Sequence, residues 1–339
     1  MTLYALDDLD DALDATRSFL LPFDARRWLK LALVVFFVGG LGANVPAGGN
    51  VNVGDASSID VGALPALPAD VVTLAVALAA AVLVVALLFA LVGSAMEFVL
   101  LEALRSDEVA VRRDGRRHLG KALGLFGFRL LLALVGLALA ALALAPVWLA
   151  LTGGGAFDPR ALVAGLALLL PVAAFVGVVL GVVNGFTTVF VVPIMLLEDR
   201  GVLAAWRRFW PTLVGAWRQY VVYAVAAFVL NVVGATAVGI VAGLGALVLF
   251  VPFGILGWTL FGGALAAGTL STAGWVALAA LLVAFALVAA AVFAVVQVPV
   301  QTYLRYYALF VLGDTDAELD LIPDRRKTVR SGEDAIPSA

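Results

Sequence analysis

The chain has 339 residues, 64% hydrophobic and 13% charged, with 24 Asp and Glu against 21 Lys and Arg. Soluble domains are typically about 45–50% apolar and about 25% charged, so the composition excludes a water-soluble globular fold and makes lipid the main solvent. The lack of Cys excludes disulfides, thiolate zinc sites and Cys nucleophiles.

In lipid the backbone must satisfy its own hydrogen bonds, which leaves helices or closed barrels. The apolar runs are continuous rather than alternating, so the expected class is all-α, a polytopic membrane protein. The N-terminus is acidic and has no basic segment followed by an apolar core, so no cleavable signal is expected. It reads as an amphipathic helix, with Leu6, Leu9, Leu13 and Leu20 on the apolar face. Asp7, Asp8, Asp10, Asp11 and Asp14 mostly form its wet face. Asp24 is placed to cap the span after Pro22.

Six spans of about 20 apolar residues follow: Trp28–Val45, Val71–Val92, Leu130–Leu151, Ala161–Val183, Leu213–Leu249 and Trp275–Val296. Ahead of the fifth, "GVLAAWRRFWPTLVGAW" puts Val202, Leu203, Trp206, Phe209, Trp210 and Leu213 on one helical face. This predicts a helix lying in the interface, ended by Pro211, with Thr212 capping the next span. Its anchors are Trp206, Phe209 and Trp210 with Arg207 and Arg208. Residues 251–273 are uncharged and long enough to cross, but five Gly and Pro252 suit an irregular or re-entrant piece.

Charge sets the expected orientation. Twenty of the 21 basic residues fall in the N-terminal segment, alternate connections and the tail; Arg160 alone falls on the other side. Lys and Arg mark the cytoplasmic side, so both termini are expected in the cytoplasm, with six crossings of the cell membrane. A seventh crossing at 251–273 would carry the basic tail outside.

The basic helix before a span recurs. Aligning Arg17 with Arg207 pairs Ala15 with Ala205 and Phe19 with Phe209, and Arg116 takes the same place in a weaker middle copy. Three repeats are expected, at about 3–104, 105–197 and 198–312. Each is a cytoplasmic interfacial helix followed by a transmembrane hairpin, all within one domain over 1–312. Residues 313–339 are expected to be a disordered cytoplasmic tail.

Spans two, four and six each overrun the membrane and start their extension with a polar or flexible break: "GSAMEFVLLEAL", "NGFTTVFVVPIMLLE" and "QVPVQTYLRYYALF". Glu97, Asn184, Thr187, Thr188, Gln297 and Gln301 are therefore the candidate inner-leaflet polar cluster, either a site for a lipid headgroup or small solute or a set of interhelical hydrogen bonds. Glu97 lies past the end of span two, where Arg129 of the adjacent span is a conceivable partner. Asn231 is the polar residue placed deepest and is expected to bond to a neighbouring helix. Stripes of small residues on span four (Ala173, Gly177, Gly181, Gly185) and span five (Ala235, Gly239, Gly243) read as an internal contact, or less simply as an oligomer seam.

Chemistry is sparse. His118 is the sole His, and no metal-ligand set, catalytic triad, phosphate loop or dinucleotide fingerprint occurs. "DDLDDALD" lacks the glycine turn of a calcium loop. No cofactor, metal or nucleic acid is expected, because arginines beside a membrane mostly set topology and meet anionic lipid.

The opening "YALDDLDDALDATRSFLLPFDARRWLKLALVVFFVGG" resembles the start of a family of uncharacterised multi-pass haloarchaeal proteins. The excess of Asp over Glu and of Arg over Lys fits that source. More distantly, "VVPIMLLEDRGVLAAWRRFWPTLVGAWRQYVV", with Pro193 and Glu198, is similar to the membrane domains attached to some glycerophosphodiester phosphodiesterases. The resemblance implies no transferable activity, since their catalytic domain has no counterpart here. The expected function is that of a non-enzymatic membrane protein engaging lipids, a partner protein or a second copy of itself. The alternative is a transporter or permease using an inner-leaflet cavity.

Overall fold

The computed structural model describes residues 4–43, 69–152 and 159–331, and no strand occurs among them. The elements run α1 (Tyr4–Leu20), α2 (Ala25–Ala43), α3 (Ala69–Ser106), α4 (Val111–Arg117), α5 (Leu119–Thr152) and α6 (Pro159–Phe186). A π-helical turn (Thr187–Val191) then leads to α7 (Val192–Leu197), α8 (Val202–Gly215), α9 (Trp217–Ala266), α10 (Thr272–Thr315) and α11 (Pro323–Ser331). Among the described residues five helical stretches are long and apolar enough to cross a membrane: Val76–Ser106, Leu119–Ala145, Pro171–Leu197, Trp217–Ala266 and Thr272–Thr315. The protein is thus built as a helical multi-pass membrane protein. The first expected span, on α2, is not among these five, and its last residues lie outside the described ones.

The two ends of the molecule are packed differently. At the charged end, α1, α4, α7, α8, α11 and the adjoining ends of the long helices share one core, with Phe19, Phe98, Phe190, Phe209, Tyr220 and Tyr306 fully buried. Toward the other end the long helices expose Leu, Val and Phe over most of their length. Such a surface suits hydrocarbon as its solvent. The α1 face inside the core keeps only part of the expected leucine face, Leu20, which is buried, and Leu9, which packs against the core. Ala5, Asp8, Ala12, Ala15 and Phe19 dock on α10, while Leu6 and Leu13 point outward. Small side chains allow the close approach, and Tyr307 Oη and Tyr303 Oη donate to the carbonyls of Ala5 (2.7 Å) and Leu9 (3.4 Å).

Several expected boundaries shift. Residues 251–266 are no separate piece: α9 runs on through Pro252 and turns at Gly268, whose φ of 66° suits glycine, before α10 begins. At 50 and 44 residues, α9 and α10 form a hairpin of about 75 and 66 Å, well beyond the ~30 Å hydrocarbon slab. Pro211 does not end α8, which continues to Gly215, and Thr212 Oγ1 donates to Asp316 instead of capping the next helix (3.1 Å). Asp24 does cap α2, accepting from Arg26 N (3.0 Å). The expected disordered tail is folded as far as Ser331: Leu319, Leu321 and Ile322 are buried, and Arg326 binds Asp314 and Asp320. Gly313 has no Cβ, and one there would collide with the Arg326 guanidinium. Residues 332–339 lie outside the described ones.

Around the middle of the molecule the neighbours run α9, α10, α2, α3, α5, α6. The sequence of contacts does not close. α6 and α9 meet at their base through Phe186 and Tyr220 (6.3 Å between ring centroids), and among the described residues they share no interface comparable with the others. The expected packing of their small-residue stripes does not occur. Gly177, Gly181 and Gly185 on α6, and Gly239 and Gly243 on α9, have no atom within 4 Å of where a Cβ would stand. The face α9 buries against α10 is one residue over, at Gly234, Val238 and Ala242, where a Cβ on Gly234 would lie 2.6 Å from Val300 Cγ1.

Candidate functional site

Between these helices, where their uncharged stretches end, lies a cavity of about 440 Å³. From Thr272 to Leu304 α10 carries no ionisable charge, a rise of about 50 Å, and Arg305 comes next. Glu97 ends a comparable uncharged run on α3, and Arg129 begins one on α5. The three long helices thus bring their boundary charges together.

Glu97 is almost wholly buried, with 2% of its side chain exposed. Its two oxygens serve two cations: Oε1 accepts from Arg129 Nη2 at 3.0 Å, and Oε2 accepts from Arg305 Nη2. Arg129 Nη2 also donates to Thr188 Oγ1 at 2.7 Å, and that hydroxyl donates to Asn184 O at 2.9 Å. Arg305 Nη1 donates to the carbonyl oxygen of Thr188 at 2.8 Å.

The sequence explains why that carbonyl is free. In the π turn Val192 N–H bonds to Thr187 O, five residues back. The same register would pair Thr188 O with residue 193, a proline without an N–H. The helix defect and Pro193 together expose one acceptor, and Arg305 takes it. Of the three expected breaks only this one is an irregularity. α3 continues through Gly93 and Ser94, and α10 through Pro299.

Of the six residues in the expected cluster, Glu97, Asn184, Thr188 and Gln301 line the cavity. Thr187 and Gln297 do not. Thr187 Oγ1 donates to Val183 O (2.6 Å) and accepts from Trp206 Nε1 (3.0 Å). Gln297 is buried against α2, its amide filling the space at Gly39. Asn231 lines the cavity but bonds within its own helix, Nδ2 donating to Ala227 O at 2.7 Å, rather than across to a neighbour. Arg305 and Tyr223 complete the polar lining without having been singled out. Arg305 counted only as a topological charge in the tail. Its signal was isolation: the next charge after it is Asp314, with Tyr306, Leu309 and Phe310 between.

The expected anchors of α8 divide. Trp210 is exposed, as a headgroup-level indole should be, and so is Arg207. Phe209 is fully buried in the aromatic cluster with Phe190 and Tyr220, and Trp206 braces the π turn. Arg208 binds Asp316 at 3.2 Å and Glu318 at 2.8 Å, tying α8 to the chain after α10. The single His, His118, is buried with Nδ1 3.0 Å from Asp114 O and its ring stacked on Phe98.

The cavity therefore holds two guanidiniums, one carboxylate and neutral donors, an arrangement able to hold an anion. Comparison with curated proteins and with solved structures finds no match. A model of a family of unknown function matches residues 3–322, nearly the whole length, so the chain belongs to that family, DUF7544.

Proposed function

We propose that this is a non-enzymatic protein of the cell membrane that works by binding lipid at the inner leaflet. Six crossings in three repeats of about 3–104, 105–197 and 198–312, with both termini cytoplasmic, complete the reading, and the acidic composition fits a haloarchaeal source. One observation carries it: Glu97, Arg129 and Arg305 share a cavity between long apolar helices and leave one positive charge uncompensated. An unpaired charge in such a place is costly unless a ligand or another counter-charge meets it.

The alternative, a transporter or permease, has one observation in its favour, the unclosed side between α6 and α9. It also requires a polar route to the other face, and beyond Asn184 and Asn231 these helices offer chiefly Ala, Val, Leu and Gly. Reconstitution into vesicles holding a fluorescent anionic lipid in one leaflet separates the readings. Binding without flux is expected. Flux that stops when Arg129 is replaced by Gln would establish the transporter instead.

A further inference from the structure

We propose that the cavity is a phosphate site: Arg129 and Arg305 hold the oxyanion, and Glu97 is the built-in counter-ion whose two oxygens occupy them in its absence. The phosphate's source, a lipid headgroup, rests on the lipid-binding reading above; the phosphate chemistry itself does not.

The first reason is charge. Arg305 and Glu97 have only 6% and 2% of their side chains exposed, and no other acidic group lines the cavity. One carboxylate divided between two guanidiniums neutralises one of them. Arg129 Nε is enclosed and has no partner. A phosphate presents several acceptor oxygens to guanidinium forks and would supply both the missing charge and the missing acceptor. A cation would meet net repulsion.

The second reason is position. The three charges sit where the uncharged stretches of α3, α5 and α10 end, which is headgroup depth for a chain lying in a bilayer. The lining of the cavity includes Gly185 on α6 and Asn231 on α9, the two helices that share no interface comparable with the others. On the same two helices Gly177, Gly181, Gly239 and Gly243 have open space where a side chain would begin. A glycerolipid could place its phosphate in the cavity while its chains stay in the gap. Free inorganic phosphate offers the same oxyanion from the aqueous side.

The test uses the full chain in detergent micelles, with native mass spectrometry scoring retained phosphatidylglycerol against diacylglycerol, which lacks the phosphate. Calorimetric titration with inorganic phosphate runs in parallel. The wild type is expected to retain phosphatidylglycerol selectively. Arg129→Gln should lower that retention about tenfold or more, since it removes a charge-assisted contact. Gly185→Leu should block it equally with no loss of melting temperature, because a Cβ there meets no atom within 4 Å. Glu97→Gln should raise retention, whereas a purely structural ion pair would give no gain. Should Arg129→Gln not fold, Gly185→Leu carries the test. Retention unchanged by both substitutions, with no phosphate binding in the titration, overturns the proposal. Inorganic phosphate bound by the wild type and lost in Arg129→Gln, without selective phosphatidylglycerol retention, upholds the phosphate site and overturns the lipid reading.

Discussion

Asp8 lies on the buried face of α1, fully enclosed, and Arg330 Nη2 reaches its Oδ1 at 3.2 Å. Arg330 also binds Asp11 and Asp314. Burial is the largest influence on the Asp8 carboxyl, the neighbouring Asp314 carboxylate adds to it, and the arginines only partly offset them; the pKa is pushed up to about 8. An unfolded aspartate titrates near 3.9. Across that window the folded chain keeps a proton that the unfolded chain has lost, so this group's contribution to stability is full at low pH and falls as pH rises toward 8. Asp8→Asn imitates the protonated acid. Its melting temperature should exceed the wild type's at pH 8 and approach it at pH 5, which thermal unfolding in detergent at the two pH values would check. Equal differences at both pH values would count against a protonated Asp8. The sequence misled here because Asp8 sits among five aspartates that look like one wet face. Ala5, Ala12 and Ala15 proved to be packing residues beside Leu9 and Leu20, whereas Leu6 and Leu13 did not.

At the scale of an element, glycines that look alike in the sequence do different work. Gly93 on α3 faces α2 so closely that a Cβ would stand 2.8 Å from the carbonyl oxygen of Phe37. A backbone oxygen cannot rotate away, so Gly93→Ala must push α2 and α3 apart, at an overpacking cost of about 1–3 kcal/mol. Gly239 on α9 faces open space, and Ala there gains helix propensity of up to about 1 kcal/mol. Thermal unfolding of the two variants should therefore move in opposite directions; a stabilised Gly93→Ala would contradict the α2–α3 contact. Four-residue spacing found stripes on α6 and α9 that could pack but could not say whether they meet. The π turn was partly legible, since Pro193 after "NGFTT" marked a weak point, whereas its consequence, a free Thr188 carbonyl for Arg305, depends on a register that only coordinates display. Glu97 and Arg129 were readable as charges at the edge of apolar runs. Arg305 stands at such an edge too, but its place in the cavity was hidden, because the eight residues of "YYALFVLG" after it resemble the close of a span.

For the molecule as a whole, the packed core with its charged surface and the long helices with their exposed apolar side chains lie at opposite ends. The long helices were plain from hydropathy alone, because lipid demands uninterrupted apolar runs. The packed end was less plain, since its short helices and folded tail are held by contacts between distant segments, such as Arg330 with Asp8 and Tyr307 with Ala5. The α9–α10 hairpin gives the topology a sharper test than charge counting. Both helices are continuous, so the turn at Ala267–Ser271 must lie across the membrane from Ser331 if each helix crosses once. With no native Cys, single substitutions Ser57→Cys, Thr269→Cys and Ser331→Cys can be probed in intact cells with a membrane-impermeant maleimide. Ser57→Cys and Thr269→Cys are expected to react from outside, and Ser331→Cys only after permeabilisation. Thr269→Cys reacting from the same side as Ser331→Cys would mean that the hairpin dips back rather than crossing. The small-residue gap beside α6 would then lose its lipid-facing wall.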